Sequence, residues 1–398
     1  MLLSTLTIFE TKAQNQLGRS DLQLNTITTA VPFLLIAPDS RAGALGDAGV
    51  ATSPDANSIH WNPAKMAFID KEMGLSISYS PWLRKLVPDI SLSYVSLYKK
   101  LGDNQTIGGS LRYFSLGDIK FTDDFGNPLG DFRPNEFAVD IAYAQKLGDR
   151  FSGGIAARYI YSNLTGGIDV SGTNTRAGTS FAVDVSTFYT NEDAELFGQD
   201  VIFNAGINIS NIGAKISYTD DANKDFIPIN MKLGQSLAFV LDDYNTIAII
   251  TDVNKLLVPT PPIYQLDANG SPVIDPVTNE PVIESGKDPN VSVMTGIMQS
   301  FSDAPGGMSE ELREYNLSGG LEYWYNKQFA VRAGYFHEHL TKGNRKYLTM
   351  GLGVKLSVFS VDFSYLIATT QNNPLANTLR FSLMFNFEDF KKQNNEGE

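Results

Sequence analysis

From Met73 to Phe387 apolar and polar residues alternate in short runs, the period of extended strands whose two faces meet different surroundings. Fourteen runs can be marked, at 73–80, 89–100, 104–117, 134–147, 150–163, 177–189, 200–211, 230–241, 244–254, 315–326, 328–340, 345–357, 359–370 and 377–388. In the fifth, Phe151, Ile155, Ala157, Tyr159 and Tyr161 share one face, opposite Ser152, Gly154, Ala156 and Arg158. The mid-run charges Arg112, Asp140, Arg158, Asp184, Asp252, Glu322, Arg332, Lys355 and Asp362 all oppose the apolar set. A lipid-facing Arg or Lys at mid-membrane costs about 2–4 kcal/mol, so this phase suits a barrel with lipid outside and a polar lumen. Buried charges need partners before they need a function, so pairing within the lumen is the expectation for these nine.

The connections separate a membrane barrel from a soluble sandwich. Leu101-Gly102-Asp103-Asn104, Leu147-Gly148-Asp149, Asp242-Asp243 and Asn326-Lys327 read as tight hairpin turns. The connections between them are longer, at 118–133, 164–176, 212–229 and 255–314. Short turns alternating with long loops is the habit of bacterial barrels, whose periplasmic turns are short. Thr190–Gln199 reads as a longer inner turn and Leu340–Asn344 as a short outer loop, two departures from that parity. The expected fold is an all-β, fourteen-stranded antiparallel transmembrane barrel over 73–390, with both termini on the inner side and a polar tail at 391–398.

Ahead of the first strand, residues 31–65 are rich in small residues and poor in charge. Gly43 and Gly46, with the alanines between and around them, would let the backbone lie close against inward-facing side chains, as a lumen plug requires. Asn62-Pro63 would start a short helix at Pro63 before the barrel begins. Residues 14–72 are therefore expected to form a hatch. Before it, 1–13 resembles the end of a secretory signal peptide, with an apolar Leu2–Phe9 and a cleavage-like Ala13. No window holds 18 consecutive apolar residues, which excludes helical membrane spans.

In the long excursion 255–314, "VSVMTGIMQSF" places Val293, Ile297 and Phe301 at helical spacing with Met294 and Met298. Such a helix either covers the barrel mouth or binds something, and Met294, Ile297, Met298 and Phe301 are the candidates for a partner surface.

Composition closes off other classes. Charged residues are 19%, aromatics 11%, and the net charge is −13 with no basic stripe, which argues against a nucleic-acid binder. Without cysteine there is no disulfide, thiolate nucleophile or thiolate metal site. His337-Glu338-His339 could put two imidazoles on one strand face, but no third ligand is evident and a polar rim pair is expected; His60 reads as structural. No hydrolase elbow, phosphate loop, zinc motif or dinucleotide fingerprint occurs. Neither an enzyme nor a cofactor is therefore expected, and no catalytic or metal residue is nominated.

The stretches "AVPFLLIAPDSRAGALGDAGVATSPDANSIHWNPAK", "SYSPWLRKLVPDI" and "SFSDAPGGMSEELREYNLSGGLEYWYNKQFAVRAGYFHE" resemble the PorV family, outer-membrane components of the type IX protein secretion system. The resemblance spans nearly the whole chain. "RAGALGDAGVA" and Asn62-Pro63-Ala64 are similar, more broadly, to the FadL-type transporters of hydrophobic compounds, whose fourteen-stranded barrels hold an N-terminal hatch. What the PorV resemblance implies is a non-enzymatic barrel in the lipids of a Gram-negative outer membrane. It would associate with the giant translocon barrel (SprA or Sov), cover that barrel's lateral opening, and carry cargo by its C-terminal signal domain to the surface attachment complex with the sortase-like PorU. A FadL-like transporter is the alternative and a lipid A-modifying enzyme a weaker one. The resemblance maps by region, with the outer loops, above all 255–314, toward translocon and cargo.

Overall fold

The computed structural model describes residues 24–83, 87, 89–122, 128–166, 175–219, 224–369 and 375–387, so the signal-like 1–13, the first part of the expected hatch and the polar tail lie outside the described residues. Its strands are β1 (Met73–Pro81), β2 (Ile90–Lys100), β3 (Gln105–Leu116), β4 (Ile119–Thr122), β5 (Pro128–Phe132), β6 (Asn135–Lys146), β7 (Phe151–Asn163), β8 (Gly178–Leu196) and β9 (Gln199–Gly213). There follow β10 (Asn230–Val240), β11 (Asn245–Leu256), β12 (Ile263–Tyr264), β13 (Ile283–Ser285), β14 (Asn316–Tyr325), β15 (Phe329–His337), β16 (Lys346–Lys355), β17 (Phe359–Ala368) and β18 (Leu379–Asn386). Fourteen of them form one closed antiparallel barrel, in the order β1-β18-β17-β16-β15-β14-β11-β10-β9-β8-β7-β6-β3-β2. β4–β5 and β12–β13 are small hairpins in the long loops. Closure at β1–β18 pairs Gly74 with Asn386 and Tyr79 with Phe381, so no barrel edge is left unpaired.

The fourteen alternating runs are the fourteen barrel strands, with one difference in extent. β8 and β9 continue to Leu196 and from Gln199, turning on Phe197-Gly198 alone, so the expected ten-residue inner turn is a projecting hairpin. Its residues are polar on both faces, and alternation cannot mark a strand that has water on both sides.

Large apolar side chains face outward, such as Ile141 and Phe181, 71% and 70% exposed, while Ser76, Ser96 and Asp184 face inward and are sealed. That is the pattern of strands between lipid and a filled interior. No helix is long and apolar enough to cross a membrane among the described residues.

The lumen is filled by residues 24–72, and their path runs from one mouth to the other. Near the start, the Asn25 amide donates to the Thr341 carbonyl and the Ala30 amide to the Phe226 carbonyl, both in outer loops. At the far end, the Ser152 hydroxyl beside a short turn donates to the Ala64 carbonyl, and Lys100 N donates to Glu72 O just before β1. Leu24 therefore sits at the long-loop mouth and Asn386, which ends β18, at the short-turn mouth, where its amide donates to Val358 O. The termini themselves, expected on the inner side, lie outside the described residues.

Candidate functional site

The hatch is built from capping residues that also reach the wall. Asp39 caps α1 (Ser40–Gly43) by accepting from Ala42 N at 2.9 Å, and its other oxygen accepts from the Trp61 indole at 2.6 Å. Asn62, which follows α2 (Ser58–Trp61), caps a 3-10 turn over Pro63–Phe68 through Ala64 N, with Pro63 at its first position, while its amide donates to Thr187 O of β8 at 3.0 Å. These two caps fix both ends of the small-residue run.

Between them the hatch lies directly on strand backbone. Gly46 has φ 69°, and a Cβ there would run into the Tyr335 carbonyl. Gly43 packs under the Arg380 side chain. The wall answers with its own inward glycines: Gly334 opposes Leu45-Gly46, Gly351 opposes Ala44, Gly320 opposes Leu45, and Gly154 opposes Pro63-Ala64. Small residues on one surface alone would leave a gap; small residues on both bring two backbones into contact.

Eight of the nine expected lumen charges are buried, and they do not all pair with one another. Arg158 holds Asp140 at 2.6 Å and Asp184 at 3.1 Å. A bulge in β9 sets both Ser210 and Asn211 opposite Asp184, whose oxygen accepts from Asn211 N at 2.7 Å. Arg332 holds Glu322 and Asp362. Glu322 also takes both Nε and Nη2 of Arg41, a hatch residue, at 2.9 and 2.7 Å. Asp252 accepts from the Gly49 and Val50 amides at 2.7 and 3.0 Å, and Arg112 donates to the Phe33 and Leu34 carbonyls and contacts His60 Nδ1. So the expectation of mutual pairing is corrected for Arg112 and Asp252, which grip the hatch instead. Lys355 is corrected too: it ends β16 at the short-turn rim and is exposed, beyond the reach of the filled interior. Arg41, the central link between hatch and wall, was missed; the single arginine of a run poor in charge was the signal. Beside His60, Arg158, Asn211 and Lys232 remains a cavity of about 10 Å³, room for one water and no transported solute.

Over the long-loop mouth, α3 (Val293–Gln299) divides its faces. Val293 and Ile297 pack on the apolar cluster of Phe33, Ile216, Ile227 and Leu257 that closes the lumen below, and Gly296 lies against the Phe226 ring. Met294 and Met298 point away and are 65% and 71% exposed, joined by Phe301 and, beyond α3, by Met308 and Leu312. Ile297 thus belongs to the cover, and Met294 and Met298, with Phe301 just past the helix, to an apolar outer surface.

The loop stands on an ion cluster that sequence reading missed. Lys255 donates to Glu311 at 2.9 Å and Glu314 at 2.7 Å, Lys342 to Glu310 at 2.6 Å and Glu314 at 3.0 Å, and Thr260 to Glu314 at 2.7 Å. Asn25 ties the hatch to it through Pro261 O and Glu310. Burial pushes the Asp303 carboxyl up to about 6, against a hydrogen bond from Thr260 N. Asp303, Glu311 and Glu314 come close enough to share a cation, but Lys255 already lies between the two glutamates. His337-Glu338-His339 forms no ligand set: Glu338 pairs with Arg345 at 2.7 Å, and His339 accepts from Thr341 N, capping a turn.

A family model described as "Type IX secretion system protein PorV" matches residues 19–263. The chain belongs to the PorV family. It is thereby an outer-membrane β-barrel of the type IX secretion system. Among solved structures it is similar to the Ralstonia pickettii toluene transporter TbuX (11% identity over 87% of this chain and 96% of that one, TM-score 0.46). It is also similar to the Pseudomonas putida toluene transporter TodX (9%, 87% and 97%, 0.47) and to a Pseudomonas aeruginosa FadL homologue (12%, 92% and 100%, 0.43). No curated protein matches the chain.

Proposed function

We propose that this barrel is a non-enzymatic partner of the giant translocon barrel, covering its lateral opening and carrying cargo by its C-terminal signal domain to the surface attachment complex. The observation that carries the reading is the outer face of α3: exposed Met294 and Met298 on a helix whose other face is already spent closing the mouth. Exposed methionine at a fixed site suits adaptable recognition of a succession of related surfaces. The lumen supports this reading over passage of hydrophobic compounds, because the hatch touches the wall backbone on several sides and the cavity beside His60 has room for no more than one water.

The test is co-purification from the native outer membrane. Met294→Gln and Met298→Gln together should leave a folded, heat-modifiable barrel and lower recovery of translocon or cargo at least tenfold. Deleting residues 263–302, which spares the Lys255, Glu311 and Glu314 base, should abolish it. Undiminished recovery with both variants would move the partner surface elsewhere.

A further inference from the structure

The β8–β9 hairpin is the one inner connection, among the described residues, that leaves the barrel. β7 stops pairing with β8 at Phe151 opposite Tyr189, yet β8 continues through Leu196, paired only with β9. Seven further residues at about 3.3 Å each carry the tip about 23 Å past the last β7 contact, and about 7 Å past Val201, where β9 parts from β10. Glu192, Asp193, Glu195 and Asp200 line it, and residues 190–203 contain no Lys or Arg. Arg150, in the neighbouring turn, neutralises Asp193 alone, at 2.9 Å.

At the tip stands Phe197, with φ 55°, followed by Gly198 at φ 75°. Two consecutive left-handed residues make the turn type that favours Asn-Gly. The β14–β15 turn meets the same demand with Asn326 at φ 52°. A phenylalanine is poorly suited to that conformation, and its side chain here is 92% exposed, so neither the turn nor the fold accounts for it. A strained, water-exposed aromatic among three unneutralised carboxylates is a feature of a contact residue.

We propose that this hairpin is a docking arm for a cationic periplasmic protein, which seats Phe197 in an apolar pocket rimmed by Lys or Arg facing Glu192, Glu195 and Asp200. Charge complementarity selects the partner's sign; carboxylates around the ring also disfavour insertion into the inner leaflet. The proposal rests on the outer-membrane reading only in placing the short turns in the periplasm.

The experiment uses the full-length protein in its native outer membrane, with a photo-crosslinking phenylalanine analogue at position 197 and, for comparison, at Asp103 in the β2–β3 turn. The expected result is an adduct to a basic protein from 197 and none from 103. Glu192→Lys, Glu195→Lys and Asp200→Lys together should cut its yield at least tenfold. Phe197→Asn, which relaxes the turn and leaves barrel heat-modifiability intact, should weaken binding of that isolated protein to the purified barrel at least tenfold. No adduct, an adduct to lipid or to an acidic protein, a yield indifferent to charge reversal, or equal binding by Phe197→Asn would overturn the proposal. A membrane-impermeant maleimide on Phe197→Cys separates the two ideas: labelling in intact cells would refute the assigned orientation, whereas labelling only after permeabilisation leaves the docking result to stand or fall alone.

Discussion

Replacing Gly334 by valine tests whether the hatch is in backbone contact with the wall. An added Cβ would collide with Gly46 N and the Leu45 backbone, and neither side can yield easily, since Gly334 is locked between Gly320 and Thr349 in the sheet. The hatch must therefore lift over residues 44–48. That breaks Gly46 N to Thr349 Oγ1 at 2.9 Å, Thr349 Oγ1 to Ala44 O at 2.8 Å and the Tyr347 hydroxyl to Asp47 at 2.6 Å. At about 1 kcal/mol each these bonds come to about 3 kcal/mol. Partial exposure of Leu45, now fully buried, adds about 2 kcal/mol. A local penalty of about 5 kcal/mol should open this stretch while Asp252, holding Gly49 and Val50, keeps the rest in place. In proteoliposomes Gly334→Val should admit small sugars, with swelling absent in the parent, and its barrel should remain heat-modifiable. Gly319→Val, whose Cβ would meet nothing within 4 Å, is the matched control. If the two variants swell alike, or neither leaks, the close apposition is wrong.

Arg158→Met should lower stability by about 3–5 kcal/mol, because Asp140 and Asp184 lose their shared cation, and adding Asp140→Asn and Asp184→Asn should recover most of the loss in thermal unfolding. The Asp303 carboxyl, raised from 3.8 to about 6, binds its proton more tightly folded than unfolded, so the loop base should weaken as pH rises from about 4 to 6 and stay weaker above it, by up to about 3 kcal/mol. Hydrogen exchange over 257–315, after correction for its intrinsic rise with pH, should quicken between about pH 4 and 6, and Asp303→Asn should flatten that dependence; the same corrected rise in the variant would discard the assignment. The chain has no cysteine, so single cysteines report cleanly: Leu24→Cys and Val277→Cys should react with an impermeant maleimide on intact cells, and Leu147→Cys only after permeabilisation. Protection of Leu24→Cys alone would contradict the path of the hatch.

The barrel was legible because a strand between lipid and a sealed lumen has two unlike faces, and alternation records that difference residue by residue. Where both faces meet water, as from Thr190 to Leu196, the record fades and the strand was cut short. The side of each charge could be read, but not its partner: Arg112 and Asp252 bind hatch backbone, which carries no signature in residue type. Glycine on the hatch was visible as a small-residue run, whereas Gly334 and Gly351 drew no notice, since one glycine per strand means little until its neighbour across the lumen is known. The ion cluster at the loop base joins Lys255 to Glu311 and Glu314 across a whole excursion, a separation that no local pattern can bridge. α3 was found by its spacing, but spacing could not say that Ile297 and Met298 face opposite ways.

The course of residues 24–72 from one mouth to the other also constrains how the molecule can be made. A closed cylinder with glycine-tight contacts offers no opening through which Asn25 could later be pulled to its bonds with Pro261 and Thr341. The leading segment must therefore lie within the curved sheet before its seam seals. That seam is the β1–β18 pair, which joins the most distant strands of the chain and carries the largest entropic delay of any pairing. Slow closure thus becomes an advantage: it holds the cylinder open long enough for its own first residues to be enclosed.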